Sequence, residues 1–246
     1  MKILLLSDIH ANLSALETVL ADAPGVDAVW NLGDTIGYGP RPNECLTLMR
    51  ERAAQMIAGN HDLACLGLVD LSDFNPEART ANLWNGAQLD DERRAFLSSL
   101  PPSTGVDAQV MIAHGSPRDP IWEYLLTRSQ AQENFDSPTF VTQICLIGHS
   151  HVPLFFRRGA RGKIDGPFHG EDGMMLRIEP NTRYIINPGS VGQPRDQDPR
   201  AAYAIFDTDA QQVTFHRIAY DIEQTQQQMR AARLPEPLAA RLQYGM

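Results

Sequence analysis

At 246 residues the chain is long enough to bury a sizeable core, and 43% hydrophobic with 21% charged residues argues against disorder. A formal net charge of -9 repels nucleic acid and anionic membranes, so neither is an expected partner without a local basic patch or bound cations to reverse the field. The three cysteines, Cys45, Cys65 and Cys145, form no CxxC pair and read as reduced thiols of a cytoplasmic protein.

Lys2–Leu6 reads as a buried strand. Its apolar run breaks at Ser7-Asp8, short of the roughly 7–15 residues of an export signal. Ala11–Ala21 carries Leu13, Leu16, Val19 and Leu20 at helical spacing. A strand at Asp27–Leu32, a helix around Asn43–Arg52 and a strand at Gln55–Ala58 follow. This alternation argues for βαβ units and a parallel sheet buried on both faces. Helices are predicted within Glu77–Gln88 and Asp91–Leu100, the second opening on acidic residues and stopped by Pro101-Pro102.

The second half is richer in strands, at Gln109–Ala113, Gln143–Ile147, Val152–Phe156, Met174–Ile178, Tyr184–Ile186, Ala202–Asp207 and Gln212–Tyr220. Thr127–Asn134 and Asp221–Ala232 read as helices. Arg158–Asp172, rich in glycine and charge, is expected to be an exposed connection. No stretch approaches the roughly 20 apolar residues of a spanning helix. Without a linker or repeat, residues 1–246 are expected to form one α/β domain, a central pair of sheets flanked by helices.

Five of the apolar strands end in residues that can bind a metal: Ser7-Asp8-Ile9-His10, Gly33-Asp34, Gly59-Asn60-His61-Asp62, His114-Gly115 and Gly148-His149-Ser150-His151. In α/β sheets ligands bind beyond the carboxyl ends of the strands, so the five endings converge on one crevice. Side chains at i and i+2 on an extended backbone share a face, which lets Asp8 turn with His10 and His149 with His151. Five of the chain's seven histidines fall in these motifs, and core packing gives no reason for that placement. Carboxylates, imidazoles and one amide suit Mn, Fe or Zn better than Ca, and the lack of thiolates argues against a structural zinc.

Asp8, His10, Asp34, Asn60, His114, His149 and His151 are too many ligands for one tetrahedral ion and suit two divalent ions sharing a bridge. Asp34, alone at its strand end, suits the bridging role. Two cations about 3.5–4 Å apart generate a hydroxide near neutral pH and clamp a phosphoryl oxygen.

The series Asp8-x-His10, Gly33-Asp34-x-x-Gly37, Gly59-Asn60-His61-Asp62, His114-Gly115 and Gly148-His149-Ser150-His151 resembles the calcineurin-like metallophosphoesterase superfamily, with all five blocks in family order. The resemblance implies a four-layer α/β/β/α sandwich with two central mixed β-sheets. It implies that Asp8, His10, Asp34 and His151 hold one metal while Asp34, Asn60, His114 and His149 hold the other. His61 would interact with substrate and assist the leaving group; an eighth ligand or an orienting residue is the alternative. Asp62 is expected to cap the following helix.

Members that act on phosphoproteins or dinucleoside tetraphosphates carry an arginine in a GDxxxRG pattern, where this chain has Tyr38. Losing that bidentate clamp disfavours those substrates. Gly37–Glu44 and Asn187–Arg195 resemble the small bacterial and archaeal phosphodiesterase branch, with Arg41 and Arg195 as candidate phosphate contacts. Residues 187–195 read equally as a crevice lining or a tight Pro-Gly turn. The basic run Arg157–Lys163 reads as a solvated hairpin tip. The expected reaction is hydrolysis of a phosphodiester in a small or nucleotide-like molecule, by attack of a metal-bridging hydroxide with His61 at the leaving oxygen. A phosphomonoesterase or dinucleoside-polyphosphate hydrolase is the nearest rival, with a nuclease and a non-catalytic scaffold further off. Homo-oligomerisation stays open.

Overall fold

The computed structural model describes all 246 residues. Twelve strands form two six-stranded sheets. The first runs β3 (Ala53–Met56), β2 (Ala28–Asn31), β1 (Lys2–Leu6), β11 (Ala201–Asp207), β12 (Gln212–Ile218), β9 (Met175–Arg177). The second runs β4 (Ser103–Gly105), β5 (Val110–Ala113), β6 (Ile144–Leu146), β10 (Arg183–Asn187), β7 (Leu154–Arg158), β8 (Ile164–His169). Each contains a parallel trio, β1-β2-β3 and β5-β6-β10, completed by antiparallel strands.

Strands apolar on both faces need cover on both faces, and the side chains divide accordingly. Ile3, Leu5 and Trp30 point from the first sheet into the second, where Ile112, Leu146 and Ile186 meet them. Leu4 and Leu6 point the other way, onto Leu16 and Val19 of α1 (Leu13–Asp22) and Met49 of α2 (Pro42–Arg52). Beyond the second sheet, Met111, Cys145 and Phe156 pack on Ala131 and Phe135 of α6 (Arg128–Phe135). The result is the α/β/β/α sandwich. Leu5 is fully buried between the sheets, and its truncation to alanine costs about 2–5 kcal/mol.

Local signals set the helix ends. The Asn12 side chain accepts the Ala15 N–H at 3.2 Å to start α1, and Pro42 occupies the first turn of α2. The remaining helices are α3 (Asn60–Leu66), α4 (Pro76–Gln88), α5 (Asp91–Ser98), α7 (Ile222–Ala231) and α8 (Glu236–Ala240), with short 3-10 turns at Leu71–Asp73 and Arg241–Tyr244. The C-terminal elements fold back onto the first half: Met229, Leu238 and Leu242 share a cluster with Tyr38, Phe74 and Ala81. No helix is long and apolar enough to cross a membrane.

Two expectations are corrected. Arg158–Asp172 is not merely an exposed connection, because it contains β8, which pairs with β7 and sets Phe168 on Phe155 with ring centroids 5.0 Å apart. Gly166 and Pro167 disguise it, and an edge strand tolerates both. Strand β3 starts at Ala53, not Gln55, because α2 passes into it without a loop.

Candidate metal centre

The five strand ends open on one side of the sandwich, and the backbone turns sharply as it leaves them. Asp8, His10, Asp34, His149 and His151 all have left-handed φ, between 49° and 64°. Such conformations cost non-glycine residues of order 1–3 kcal/mol and persist only where the surroundings hold them. Here the Asp8 N–H donates to the Gly33 carbonyl at 3.0 Å and the His10 N–H to that of Asp34 at 3.0 Å. The His149 N–H donates to Asp8 Oδ2 at 3.0 Å. Glycine is required where these loops touch. A Cβ on Gly59 would strike Asp34 Oδ1, and one on Gly148 would strike Ser7 Oγ.

Residues 187–193 act mainly as a backbone splint. The Val191 and Gly192 N–H groups donate to the Ser7 and Asp8 carbonyls at 3.0 and 2.9 Å. Ser190 Oγ donates to the Asp8 carbonyl at 2.8 Å, and Asn187 Nδ2 to that of Gly148 at 2.6 Å.

Two groups of donors result, each with ligand atoms within 4.8 Å of one another: Asp8, His10 and His151; and Asp34, His114 and His149. Their hydrogen bonds fix the imidazole tautomers. His10 Nδ1 lies 3.3 Å from the Ile36 carbonyl and His151 Nδ1 lies 2.5 Å from that of Gln193. A carbonyl only accepts, so both protons sit on Nδ1 and both Nε2 atoms present lone pairs, 3.1 Å from each other. Burial holds both imidazoles neutral, reinforced at His10 by His151 and at His151 by Arg195.

His114 Nδ1 likewise donates to the Leu32 carbonyl at 2.9 Å, aiming Nε2 at Asn60 Oδ1, 3.2 Å away, and at Asp34 Oδ2, 3.3 Å away. Burial opposes charge on His114, but the Asp34 carboxylate overrides it and raises the imidazole to about 9. His149 Nε2 faces the Trp122 carbonyl at 3.3 Å, leaving Nδ1 as its bare nitrogen; burial, then His114, lowers it to about 3.

Asp34 Oδ2 joins the groups, at 3.8 Å from His10 Nε2 and 3.3 Å from His114 Nε2. It is buried without a hydrogen-bond partner, while Oδ1 accepts the His61 N–H at 2.8 Å. Opposed lone pairs and an orphaned carboxylate oxygen are unfavourable as they stand and are resolved by a cation in each group. The residues present fit two divalent ions.

His61 lies alongside, its ring 4.9 Å from that of His10 and its Nδ1 2.9 Å from Asn82 Oδ1 on α4. Burial lowers it to about 4. Asp62 does more than cap α3. Besides the Gly59 N–H at 3.0 Å, its carboxylate accepts those of Thr35 at 3.2 Å and Ile36 at 3.0 Å, tying the Asp34 loop to the helix. Burial, then Asp34, raises Asp62 to about 7.

Of the two arginines, Arg195 reaches the cluster and Arg41 is engaged elsewhere. Arg195 Nη2 donates to the Tyr38 hydroxyl at 3.2 Å, and its guanidinium overlies the Tyr38 ring, which lies 4.3 Å from the His61 ring. Arg41 is paired with Glu44 at 3.1 Å and with Gln228 of α7 at 3.2 Å. An i,i+3 ion pair was legible in the sequence. Sequence reasoning missed Asn82 and Tyr124, whose ring stacks on His149 at 4.0 Å; no local pattern marks either.

Comparison with known proteins settles the family. The calcineurin-like phosphoesterase superfamily domain matches residues 1–211. The chain belongs to the calcineurin-like phosphoesterase superfamily. It is 51% identical to a metallophosphoesterase from Sphaerobacter thermophilus whose crystal structure superposes with a TM-score of 0.90, covering 100% of this chain and 99% of that one. An uncharacterized protein of Methanocaldococcus jannaschii is 35% identical over 255 residues, 99% of this chain and 98% of that protein. A symmetrical bis(5'-nucleosyl)-tetraphosphatase of Photorhabdus laumondii is 31% identical over 93 residues, 35% of this chain and 34% of that protein. As calcineurin-like phosphoesterases use two divalent metals, the two donor groups match the family in number.

Proposed function

We propose that the chain is a dinuclear metal-dependent phosphodiesterase acting on small or nucleotide-like molecules. The observation that carries the reading is the single buried Asp34 oxygen, Oδ2, facing donors of both groups with no hydrogen-bond partner of its own. Asp8, His10, Asp34 and His151 would hold one ion, and Asp34, Asn60, His114 and His149 the other, with Mn, Fe or Zn matching the donors. When bound, the ion pair supplies a water of lowered pKa and neutralises charge on phosphoryl oxygens.

The chain's own groups do the rest. Asn82 holds His61 Nδ1, which turns Nε2 toward the leaving oxygen. The negative charge of a bound phosphodiester would favour the His61 imidazolium against burial. That cation, its Nδ1–H held by Asn82, would pass its Nε2 proton to the leaving oxygen as negative charge develops there. Arg195 takes a phosphoryl oxygen, delivering from residue 195 the guanidinium that position 38 lacks. The Tyr124 ring, 45% exposed beside His149, offers an aromatic surface to an organic arm, which a diester carries on both sides of phosphorus. Cleavage within a dinucleoside polyphosphate is the second reading, favoured by the 93-residue likeness to the tetraphosphatase and opposed by Tyr38. In this reading residues 1–246 act as one domain in the cytoplasm, where the three buried, unpaired cysteines stay reduced.

The test is turnover of bis(4-nitrophenyl) phosphate against 4-nitrophenyl phosphate by protein loaded separately with Mn, Fe and Zn. A higher kcat/KM for the diester supports the reading, and a monoester preference replaces it. No turnover with any metal removes the enzyme assignment.

A further inference from the structure

We propose that Tyr38 touches the substrate: its hydroxyl oxygen holds the Arg195 guanidinium while its proton goes to a second non-bridging oxygen of the same phosphoryl group, so the two side chains form one clamp. The clamp rests on the dinuclear phosphoesterase reading and deepens it, by assigning the substrate contact made at position 38.

Tyr38 has a left-handed φ of 57°, as five of the metal donors do. A bulky residue is seldom found in that conformation and stays there only where its surroundings hold it. On one side the Gly37 N–H donates to Asn85 Oδ1 at 3.1 Å, and on the other the Gly39 N–H donates to the His10 carbonyl at 3.0 Å. A Cβ on Gly39 would strike that same carbonyl, so the loop lies directly against the His10 backbone. The ring is thereby set between two imidazoles, 4.7 Å from that of His10 and 4.3 Å from that of His61. It also packs in the cluster of Met229, Leu238 and Leu242. Packing accounts for a ring at position 38, and phenylalanine would serve it; the hydroxyl is left over.

The hydroxyl has one partner, Arg195 Nη2 at 3.2 Å. A guanidinium only donates, so the tyrosine oxygen accepts there and its own proton goes unused. No group of the chain takes that proton. Arg195 is in turn fixed to the donor cluster. Its backbone N–H donates to the His151 carbonyl at 3.4 Å, and Gln193 ties the two together, its Oε1 accepting Arg195 Nη2 at 3.0 Å and its carbonyl accepting the His151 Nδ1 proton. Arg195 Nε is buried with no partner. Two unspent donors, the Tyr38 O–H and the Arg195 Nε–H, therefore sit on side chains that are bonded to each other and border both His151 and His61. Enclosed donors without acceptors are unfavourable until a ligand supplies the oxygens. A phosphoryl group brings several, and the single negative charge of a diester matches one guanidinium joined to one neutral hydroxyl.

Two measurements on the Mn-loaded full chain read the clamp: calorimetric titration with inorganic phosphate, and turnover of bis(4-nitrophenyl) phosphate. Tyr38→Phe keeps the ring and removes only the hydroxyl. It is expected to keep the wild-type Mn content and melting midpoint while phosphate affinity and kcat/KM each fall about 10–100-fold, the worth of a hydrogen bond to a charged oxygen. Arg195→Met is expected to lose at least as much. Adding Tyr38→Phe to it should cost less than about threefold more, because the hydroxyl has then lost the partner that turns its proton outward. Wild-type phosphate affinity and kcat/KM in Tyr38→Phe, with Mn bound, overturn the clamp alone; a lowered midpoint with those values unchanged does the same and leaves Tyr38 a packing residue. Loss of Mn from Tyr38→Phe, or full additivity of the two substitutions, also overturns it. A wild type that takes up no Mn overturns the dinuclear reading and the clamp with it.

Discussion

Loading the metal-free protein with Mn at pH 8 is expected to expel about one proton per chain from His114, over and above the one given up by a metal-bound water. Asp34 raises His114 to about 9 against the opposing effect of burial, so at pH 8 roughly nine-tenths of the molecules carry the imidazolium. A ligand nitrogen must be bare, and the ion displaces the Nε2 proton of the His114 imidazolium, whose nitrogen lies 3.3 Å from the Asp34 carboxylate. The other donors contribute nothing at this pH. His149 is lowered to about 3, His10 and His151 lie below the ordinary range, and Asp8 and Asp34 are ionised. Apparent affinity for Mn therefore falls by about tenfold per pH unit below the His114 value. Near pH 6 the side-chain release rises above one, because Asp62, raised to about 7 by burial and Asp34, then holds a proton that neutralisation of Asp34 weakens. The sign for folding follows from the raised value. In the metal-free protein the His114–Asp34 attraction is fully present below about 6.5 and lost as pH rises through about 9. Calorimetry in two buffers of different ionisation enthalpy measures the protons directly. In Asp34→Asn burial acts on His114 without the Asp34 charge, so release at pH 8 drops by about one proton. No release from the wild type at pH 8, or the same release from Asp34→Asn, refutes the reasoning.

His61→Ala is expected to keep both metals by elemental analysis while kcat falls about 10²–10⁴-fold, the usual worth of a positioned proton donor; loss of metal would make His61 a ligand. Asn82→Ala removes the 2.9 Å contact that turns His61, and should lower kcat about tenfold with KM and metal content unchanged. A raised KM at constant kcat would place Asn82 in substrate binding instead. Gly59→Ala drives a methyl group into Asp34 Oδ1 and should lower the melting midpoint by several degrees, as for about 1–3 kcal/mol of overpacking, and weaken Mn binding. An unchanged midpoint and affinity would contradict the close approach of the two loops.

The donors were legible because their signal is local. Runs such as Lys2–Leu6 announce strands buried on both faces, and the candidate donors follow directly at their ends. The extended-chain period expected to pair Asp8 with His10 and His149 with His151 is not what the structure uses, since all four residues take left-handed φ. Edge strand β8 was hidden because Gly166, Pro167 and flanking charges read as a loop when nothing shows β7 beside them. Asn82 lies in the middle of α4, 21 residues from His61, and only the packing of α4 on α3 brings them together. Position 38 is instructive. Its sequence shows an arginine missing, whereas the fold lays Arg195 over Tyr38 from 157 residues away. Arg41 erred in the opposite direction, since Glu44 one helical turn on claims its charge.

The most direct test is a crystal of the wild type soaked with Mn and measured by anomalous scattering. Two peaks about 3.5–4 Å apart, with Asp34 Oδ2 between them and the two histidine groups on opposite sides, are expected. A single peak, or two peaks that Asp34 does not join, contradicts the shared-bridge geometry on which the phosphoesterase reading stands.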